Sequence, residues 1–321
     1  MLVHGDALLL VVAALLLDAV IGDPDWLWRR APHPVVWIGS GIAWLERRLN
    51  REDWSKRKRR CAGVFAVIVL VAISFFVGAL LSDLLQGHWI GFAAETLIAS
   101  TLIAQRSLYQ HVARVHRAFA EGGLAAARKT VAMIVGRDPE RLDDAGVARA
   151  AIESTAENFS DGIVAPVFWL ALLGLPGLIT YKAINTADSM IGHRTPRYID
   201  FGWAAARLDD LVNLVPARLS GALVALAAPT AGGSIVDAFR TMLRDARHHR
   251  SPNAGWPESA MAGGLNIALS GPRVYAEGIA DEPYLNADGR MAQPDDIRRA
   301  LRVYVGACVL EFVIYTALML M

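Results

Sequence analysis

The strongest constraint on the fold is one apolar run, Cys61 to Leu85, in which Asp83 is the single charged residue. About 20 apolar residues in a helix cross the roughly 30 Å hydrocarbon core of a bilayer. Backbone polar groups find no water in that core, so only helices and closed barrels can cross it. The run therefore predicts a helical membrane protein.

The rest of the chain has the same character, because it is 54% hydrophobic and only 20% charged, which is too few charges to cover a soluble surface. We predict an all-α, polytopic bundle of membrane helices that forms one domain over residues 1–321, with broken or re-entrant helices and cytoplasmic helical loops. The apolar segments are expected at about residues 5–21, 61–85, 92–109, 164–184, 211–228 and 303–321, and the polar cytoplasmic regions at 22–60, 110–161 and 231–300.

Four of these segments are expected to span fully, and two are interrupted. The sequence Gly-Leu-Pro-Gly divides segment 164–184, and Pro216 lies near the start of segment 211–228. Broken helices are tolerated at membrane depth where they line a cavity. We therefore expect both segments to be re-entrant or strongly broken, turning at Gly174–Gly177 and near Pro216.

Charge and cysteine content exclude several classes. A net charge of +1 implies no nucleic-acid partner. The two cysteines, Cys61 and Cys308, lack the spacing of a zinc site. Basic residues flank the second, third and fifth segments, which places those flanks in the cytoplasm by the positive-inside rule.

Carboxylates cluster just before the fourth apolar segment. Glu153 and Glu157 are one helical turn apart, and Asn158 and Asp161 follow. Like charges at this spacing destabilise a helix by roughly 0.2–0.5 kcal/mol, so helix stability does not explain them. Two such carboxylates can share a divalent metal or a proton. The alternative is an ordinary solvated helix face.

Cations and an acid follow the same segment. Lys182, Asn185 and Asp188 are spaced to share a helical face, and Arg194 and Arg197 lie just beyond them. Lysine and arginine suit phosphate, and the aspartate suits a metal. The alternatives are a lysine that snorkels at a helix end and arginines that contact anionic lipid.

A second acidic motif precedes the fifth segment. Asp209, Asp210 and Asn213 form an Asp-Asp-x-x-Asn pattern next to Arg207, which suits Mg²⁺ because that ion takes a few carboxylates plus phosphate oxygens. The alternative is a charge cluster that the dipole of a helix N-terminus favours. Asn253 lies in a polar loop with two prolines and a tryptophan, suited to gripping a large ligand.

Long motifs give the chain a family resemblance. They read DAVIGDP at 18–24, PHPV at 32–35, ESTAENFSDG at 153–162, YKAINTADSMIGH at 181–193, ARLDDLVNLVPARL at 206–219 and SPNAGWPESAMAGGL at 251–265. With these the chain resembles the cobalamin-biosynthesis family CobD/CbiB, the adenosylcobinamide-phosphate synthases, over almost its full length.

The resemblance implies a multi-pass enzyme of the bacterial inner membrane, an ATP-dependent acid–amine ligase. Its reaction joins adenosylcobyric acid to (R)-1-aminopropan-2-ol O-phosphate, or to aminopropanol, and forms an amide. We therefore expect ATP as a substrate and Mg²⁺ as the metal. The expected partners are the corrinoid, the aminopropanol phosphate, the lipid bilayer and other membrane enzymes of the pathway. The chain lacks the G-x-x-x-x-G-K-[ST] motif, so a P-loop does not hold the ATP.

These considerations give a predicted site. Catalytic roles are expected for Glu153, Glu157, Asp161, Asp188 and Lys182, substrate or phosphate binding for Asn158, Asn185, Arg194, Arg197, Arg207, Asn213 and Asn253, and metal binding for Asp209 and Asp210. The alternative function is a membrane transporter for a charged or corrinoid solute, whose broken helices would look similar. A non-catalytic membrane anchor would not need this many charged residues at one locus.

Overall fold

A computed structural model describes residues 4–23, 28–30, 32–134, 139–275, 278–280 and 282–321. Within them the α-helices are α1 (His4–Val20), α2 (Pro34–Leu49), α3 (Lys56–Leu85), α4 (Trp89–Thr101), α5 (Gln105–Val131), α6 (Asp144–Phe159), α7 (Ala165–Ile191), α8 (Trp203–Val212), α9 (Leu214–Ala227), α10 (Ile235–Asp245), α11 (Gly255–Leu265) and α12 (Pro294–Leu320). A π-helical turn, Ser160–Val164, joins α6 to α7. The predicted all-α fold class is confirmed.

Five short strands lie in the predicted helical region 231–300, which is a difference from the prediction. They are β1 (Ile267–Ser270), β2 (Arg273–Tyr275), β3 (Gly278–Ala280), β4 (Tyr284–Leu285) and β5 (Arg290–Met291). Strand β1 pairs antiparallel with β4 and parallel with β5, while β2 and β3 form an antiparallel pair.

Four helical stretches among the described residues are long and apolar enough to cross a membrane: Lys56–Leu85, Asp144–Ile191, Leu214–Ala231 and Pro294–Leu320. The chain is therefore a multi-pass membrane protein. The first of them matches the predicted segment 61–85 and begins earlier, because Ser55 caps it by accepting a hydrogen bond from the Lys58 amide at 3.3 Å.

Of the predicted full spans, segment 92–109 is wrong as a single helix, whereas segment 5–21 corresponds to helix α1. Helix α1 has 17 residues within the described part of the chain and rises about 26 Å, and its crossing of the membrane stays a prediction. Segment 92–109 is divided, since α4 ends at Thr101 and α5 begins at Gln105. Leu102 and Ile103, which separate them, are 3% and 1% exposed. Burial of these two side chains stabilises the break, which no glycine or proline in the sequence predicts.

The two interrupted segments do contain breaks. Gly174 has φ 65° and ψ −155° inside α7, a conformation that glycine adopts without strain. The fifth segment breaks at Asn213, between α8 and α9, rather than near Pro216, which lies in the first turn of α9. Helix α7 also continues to Ile191, so the first part of the predicted loop 182–210 is helical. Re-entry of these segments stays a prediction.

The described chain forms two compact units. The first comprises residues 1–104, 165–213 and 315–321, and the second comprises residues 105–164 and 214–314. In the first unit α3 packs against α7 and α8. A Cβ at Gly78 would lie 2.5 Å from the Cα of Pro176, so glycine allows α3 to approach the broken part of α7. In the second unit α11 packs against α6, α9 and α10.

Candidate functional site

The predicted site residues fall into two groups, one in each unit. The first unit holds Lys182, Asn185, Asp188, Arg194, Arg197, Arg207, Asp209, Asp210 and Asn213, and the second holds Glu153, Glu157, Asn158, Asp161 and Asn253.

In the first unit, Asp209 on α8 is held by amide side chains. The Asn185 amide on α7 donates to the Asp209 carboxylate at 3.3 Å, and the Asn213 amide donates to the Asp209 backbone carbonyl at 3.1 Å. The hydroxyl of Tyr181 donates to the Asn213 carbonyl at 3.0 Å. Asn185 therefore contacts the carboxylate and Asn213 contacts the backbone of the same residue, while Tyr181 is a supporting residue that the sequence did not predict.

Asp209 lies in an unusual electrostatic environment. Burial raises the pKa of its carboxyl to about 7, and the charges of Asp188 and Asp210 raise it as well, against the hydrogen bonds from Asn185 and Asn213. Burial also raises the pKa of Asp210, while Arg207 and Arg194 oppose that rise. The three carboxylates, Asp188, Asp209 and Asp210, form one electrostatically coupled group, which we call the acidic cluster.

The fit of this cluster to Mg²⁺ follows from its donor set. Among the described residues, no group of three or more His, Cys, Asp or Glu side chains is arranged to hold a metal ion by itself. Mg²⁺ is commonly bound through one or two carboxylates together with phosphate oxygens and waters, so a complete protein cage is not required. Asp209 and Asp210, which are adjacent in sequence and whose charges interact, fit that partial ligation.

Arginines lie beside the acidic cluster. The Arg207 guanidinium is 3.5 Å from the Asp210 carboxylate, and the Arg194 charge acts on the same carboxyl. Both arginines are exposed, which leaves them accessible to an anionic ligand. Lys182 on α7 is half-buried, and its backbone carbonyl accepts a hydrogen bond from Thr186 at 2.6 Å.

Arg197 has a different environment. Its guanidinium donates to the buried carboxylate of Glu46 at 2.9 Å and 2.7 Å, and it lies 3.3 Å from Glu52. Its backbone carbonyl accepts hydrogen bonds from Asn50 at 3.1 Å and from Arg59. These contacts tie the loop after α7 to the end of α2 and occupy donors that a phosphate would need. Arg194 is therefore the stronger phosphate candidate.

In the second unit, Glu153 supports the backbone. It is 2% exposed and accepts a hydrogen bond at 2.6 Å from the amide of Ser270, which has a left-handed backbone with φ 59°. The Arg149 guanidinium lies 3.8 Å from the same carboxylate. These contacts link α6 to the end of β1, so the geometry of Glu153 favours a positioning role.

Glu157, Asn158 and Asp161 lie at the end of α6 and in the π-helical turn. Glu157 and Asn158 are exposed, whereas Glu153 is buried, so the two glutamates do not share an environment. The Asn158 amide donates to the backbone carbonyl of Ser154 at 2.9 Å. Asp161 is half-buried in the π-helical turn, a rare feature that often occurs at functional sites.

The loop that carries Asn253 borders a buried polar pair that the sequence analysis missed. His249 and Glu258 lie 3.7 Å apart, and their side chains are 4% and 2% exposed. Asn253 is itself 5% exposed, and its backbone N–H donates to the Ser251 hydroxyl at 3.3 Å. The only sequence signal was this Pro-flanked polar loop, because His249 and Glu258 have no spacing that predicts a pair.

Comparisons with known proteins give a consistent result. The family model described as CobD/Cbib protein matches residues 11–304. A protein of Sinorhizobium sp is 51% identical over 305 residues, covering 94% of each chain, and is named Cobalamin biosynthesis protein CobD. Proteins with the same name from Rhodobacter capsulatus and Brucella anthropi are 50% and 52% identical, each covering 92% of both chains. No solved structure matches.

Proposed function

The chain belongs to the CobD/Cbib protein family, and from that membership we propose that it forms an amide bond in cobalamin biosynthesis. A role in cobalamin biosynthesis follows from the names of relatives about half identical over nearly the whole chain. The finer proposal is an ATP-dependent ligation of adenosylcobyric acid to (R)-1-aminopropan-2-ol O-phosphate, or to aminopropanol, at the bacterial inner membrane.

The observation that carries the finer proposal is the acidic cluster beside Arg194 and Arg207. A carboxylate does not react with an amine until its oxygen becomes a good leaving group, and the simplest activated form is an acyl phosphate made from ATP. Phosphoryl transfer needs cations that neutralise charge as it develops on the phosphate oxygens. In this unit the two exposed arginines supply the cations, and the acidic residues beside them supply the metal ligands.

Asp209 and Asp210 are the proposed metal ligands. When bound there, Mg²⁺ would polarise phosphate oxygens and orient the transferred group. Asn185 and Asn213 hold Asp209 in place, so the carboxylate does not have to be ordered when the ligands arrive. Arg194 and Arg207 would bind the phosphate oxygens through paired N–H donors.

The amine must lose a proton before or as it attacks the activated carboxyl carbon. Asp188 is the remaining carboxylate of the acidic cluster, and it is half-buried at the C-terminal end of α7. A carboxylate in that position can accept the proton while phosphate leaves. We therefore assign Asp188 as the general base, and Lys182 as an additional phosphate contact on the same helix.

A direct product assay tests the proposal. Purified protein is incubated with adenosylcobyric acid, aminopropanol phosphate and Mg-ATP, and the expected result is the amide product, identified by mass. Reactions that omit one component at a time should give none. If carboxyl-¹⁸O-labelled cobyric acid is used, one ¹⁸O should appear in the released phosphate. Uptake of corrinoid into vesicles without ATP-dependent product would instead support the transporter alternative.

A further inference from the structure

A groove in the second unit is not used by the proposed reaction. It has a volume of about 670 Å³, within the range of pockets that bind a small molecule. Residues of α5, α9 and α12 and the turn after α9 line it: Tyr109, Leu226, Ala227, Thr230, Arg298, Leu301, Arg302, Val305, Gly306, Val309 and Leu310. Two of the segments that form it, Leu214–Ala231 and Pro294–Leu320, are long and apolar enough to cross a membrane.

The groove is polar at one end and apolar at the other. Thr230 donates a hydrogen bond to the backbone carbonyl of Arg302 at 3.0 Å, which places the turn after α9 beside the first half of α12. A Cβ at Gly306 would lie 2.8 Å from the Thr230 side chain, so glycine at this position leaves room for the Thr230 contact. Beyond it, Val309 and Leu310 continue the groove with aliphatic side chains only.

The two arginines at the polar end are exposed, and no ion pair or side-chain hydrogen bond of theirs is found within the described part of the chain. The neighbouring Arg299, by contrast, donates to Asp296 at 2.9 Å. The other nearby acid, Asp295, lies 3.8 Å from His116 of α5. Arg298 and Arg302 therefore present positive charge at the mouth of an apolar groove.

We propose that this groove binds one anionic phospholipid. The phosphate would contact Arg298 and Arg302, and an acyl chain would lie along Val305, Val309 and Leu226. Anionic lipids are concentrated in the cytoplasmic leaflet, the side on which basic segments are retained. A groove that combines two arginines with a mostly aliphatic lining matches the chemistry of a phospholipid better than that of a soluble anion.

Native mass spectrometry of the detergent-purified full chain tests this. Phosphatidylglycerol and phosphatidylethanolamine with identical acyl chains are added in equal amounts, and retained lipid is counted. We expect one retained phosphatidylglycerol, preferred by at least about tenfold, as the attraction of two arginines for an anionic headgroup implies. The double variant Arg298→Gln/Arg302→Gln should lose that preference.

Matched variants separate a specific site from general lipid adhesion. Val309→Trp should fill the aliphatic part and reduce retention of the lipid, whereas Val313→Trp, one turn further along α12 and also exposed, should not. Arg117→Gln removes an exposed arginine of α5 outside the groove and should leave the preference unchanged. Equal retention of both lipids by the wild type, or an equal loss in the controls, would overturn the proposal. A wild-type dimer that Val309→Trp dissociates would also overturn the proposal, because a second copy of the chain would then occupy the groove.

Discussion

Binding of Mg²⁺ to the acidic cluster should weaken as pH falls below neutrality. Burial raises the pKa of Asp209 from an ordinary value of 3.8 to about 7. A metal ligand must be deprotonated, so below that pKa each bound metal displaces a proton from this carboxyl. The apparent Kd should therefore rise about fivefold from pH 7 to pH 6 and about tenfold from pH 6 to pH 5. Above about pH 8 it should be constant.

Isothermal titration calorimetry with Mg²⁺ alone measures this directly, because without nucleotide no phosphate titrates in the same range. At pH 6, runs in two buffers of different ionisation enthalpy should reveal close to one proton released per metal bound. Asn185→Ala removes a hydrogen bond that lowers the Asp209 pKa, so its pH dependence should shift to higher pH. An affinity that is constant from pH 5.5 to 7.5 would refute the reasoning. An Asp209→Asn variant whose apparent Kd for Mg²⁺ keeps the same dependence on pH would refute it as well.

The raised pKa of Asp209 also makes the free energy of unfolding depend on pH. Between about pH 4 and pH 7 the folded state keeps a proton on Asp209 that the unfolded state has lost. The free energy of unfolding should therefore fall as pH rises through this window, by at most about 1.4 kcal/mol per pH unit. In Asp209→Asn this fall should be absent, so at pH 8 the variant should melt above the wild type while binding Mg²⁺ more weakly.

Three further predictions concern the loop after α7. In a cysteine-free background, Thr195→Cys should react with thiol reagents from the cytoplasmic side, and labelling by an impermeant reagent outside intact cells would contradict this topology. Arg194→Lys should weaken binding of ATP or of the phosphorylated amine by about 1.5–3 kcal/mol, while separate titration of the corrinoid should show little change. Arg197→Gln should lower the melting temperature because it breaks the ion pair with buried Glu46. The free energy of unfolding should fall by about 1–2 kcal/mol, a value reduced because the Arg197 side chain is partly exposed. A loss of phosphate affinity with an unchanged melting temperature would instead support Arg197 as a phosphate ligand.

The spanning helix α3 could be predicted from sequence because a run of apolar residues has few alternatives in lipid. Gly174 could also be predicted as a break, since glycine tolerates a left-handed φ and Pro176 follows it. The division between α4 and α5 could not, because Leu102 and Ile103 are ordinary apolar residues. Their break depends on burial against the rest of the unit, which no local pattern encodes.

The acidic cluster was predicted in composition but not in detail. The spacing of Asp209 and Asn213 predicts that they share a helical face, and the structure joins them by a hydrogen bond. The contribution of Tyr181 depends on a contact between residues 32 positions apart. Arg197 is a predicted phosphate ligand because a guanidinium can bind phosphate through two paired N–H donors. Its pairing with Glu46 joins residues 151 positions apart in sequence, so only the tertiary structure reveals it.

The acidic cluster is the proposed site of ligation, and product formation by two matched aspartate variants tests that assignment most directly. Asp210 and Asp237 each face an arginine three residues away, Arg207 at 3.5 Å and Arg240 at 3.0 Å. Asp210→Asn should reduce the rate of amide formation at least about 100-fold, as expected when a metal ligand is lost, while Asp237→Asn should retain near-normal turnover. Near-normal product formation by Asp210→Asn would contradict the assignment of the acidic cluster as the site of ligation.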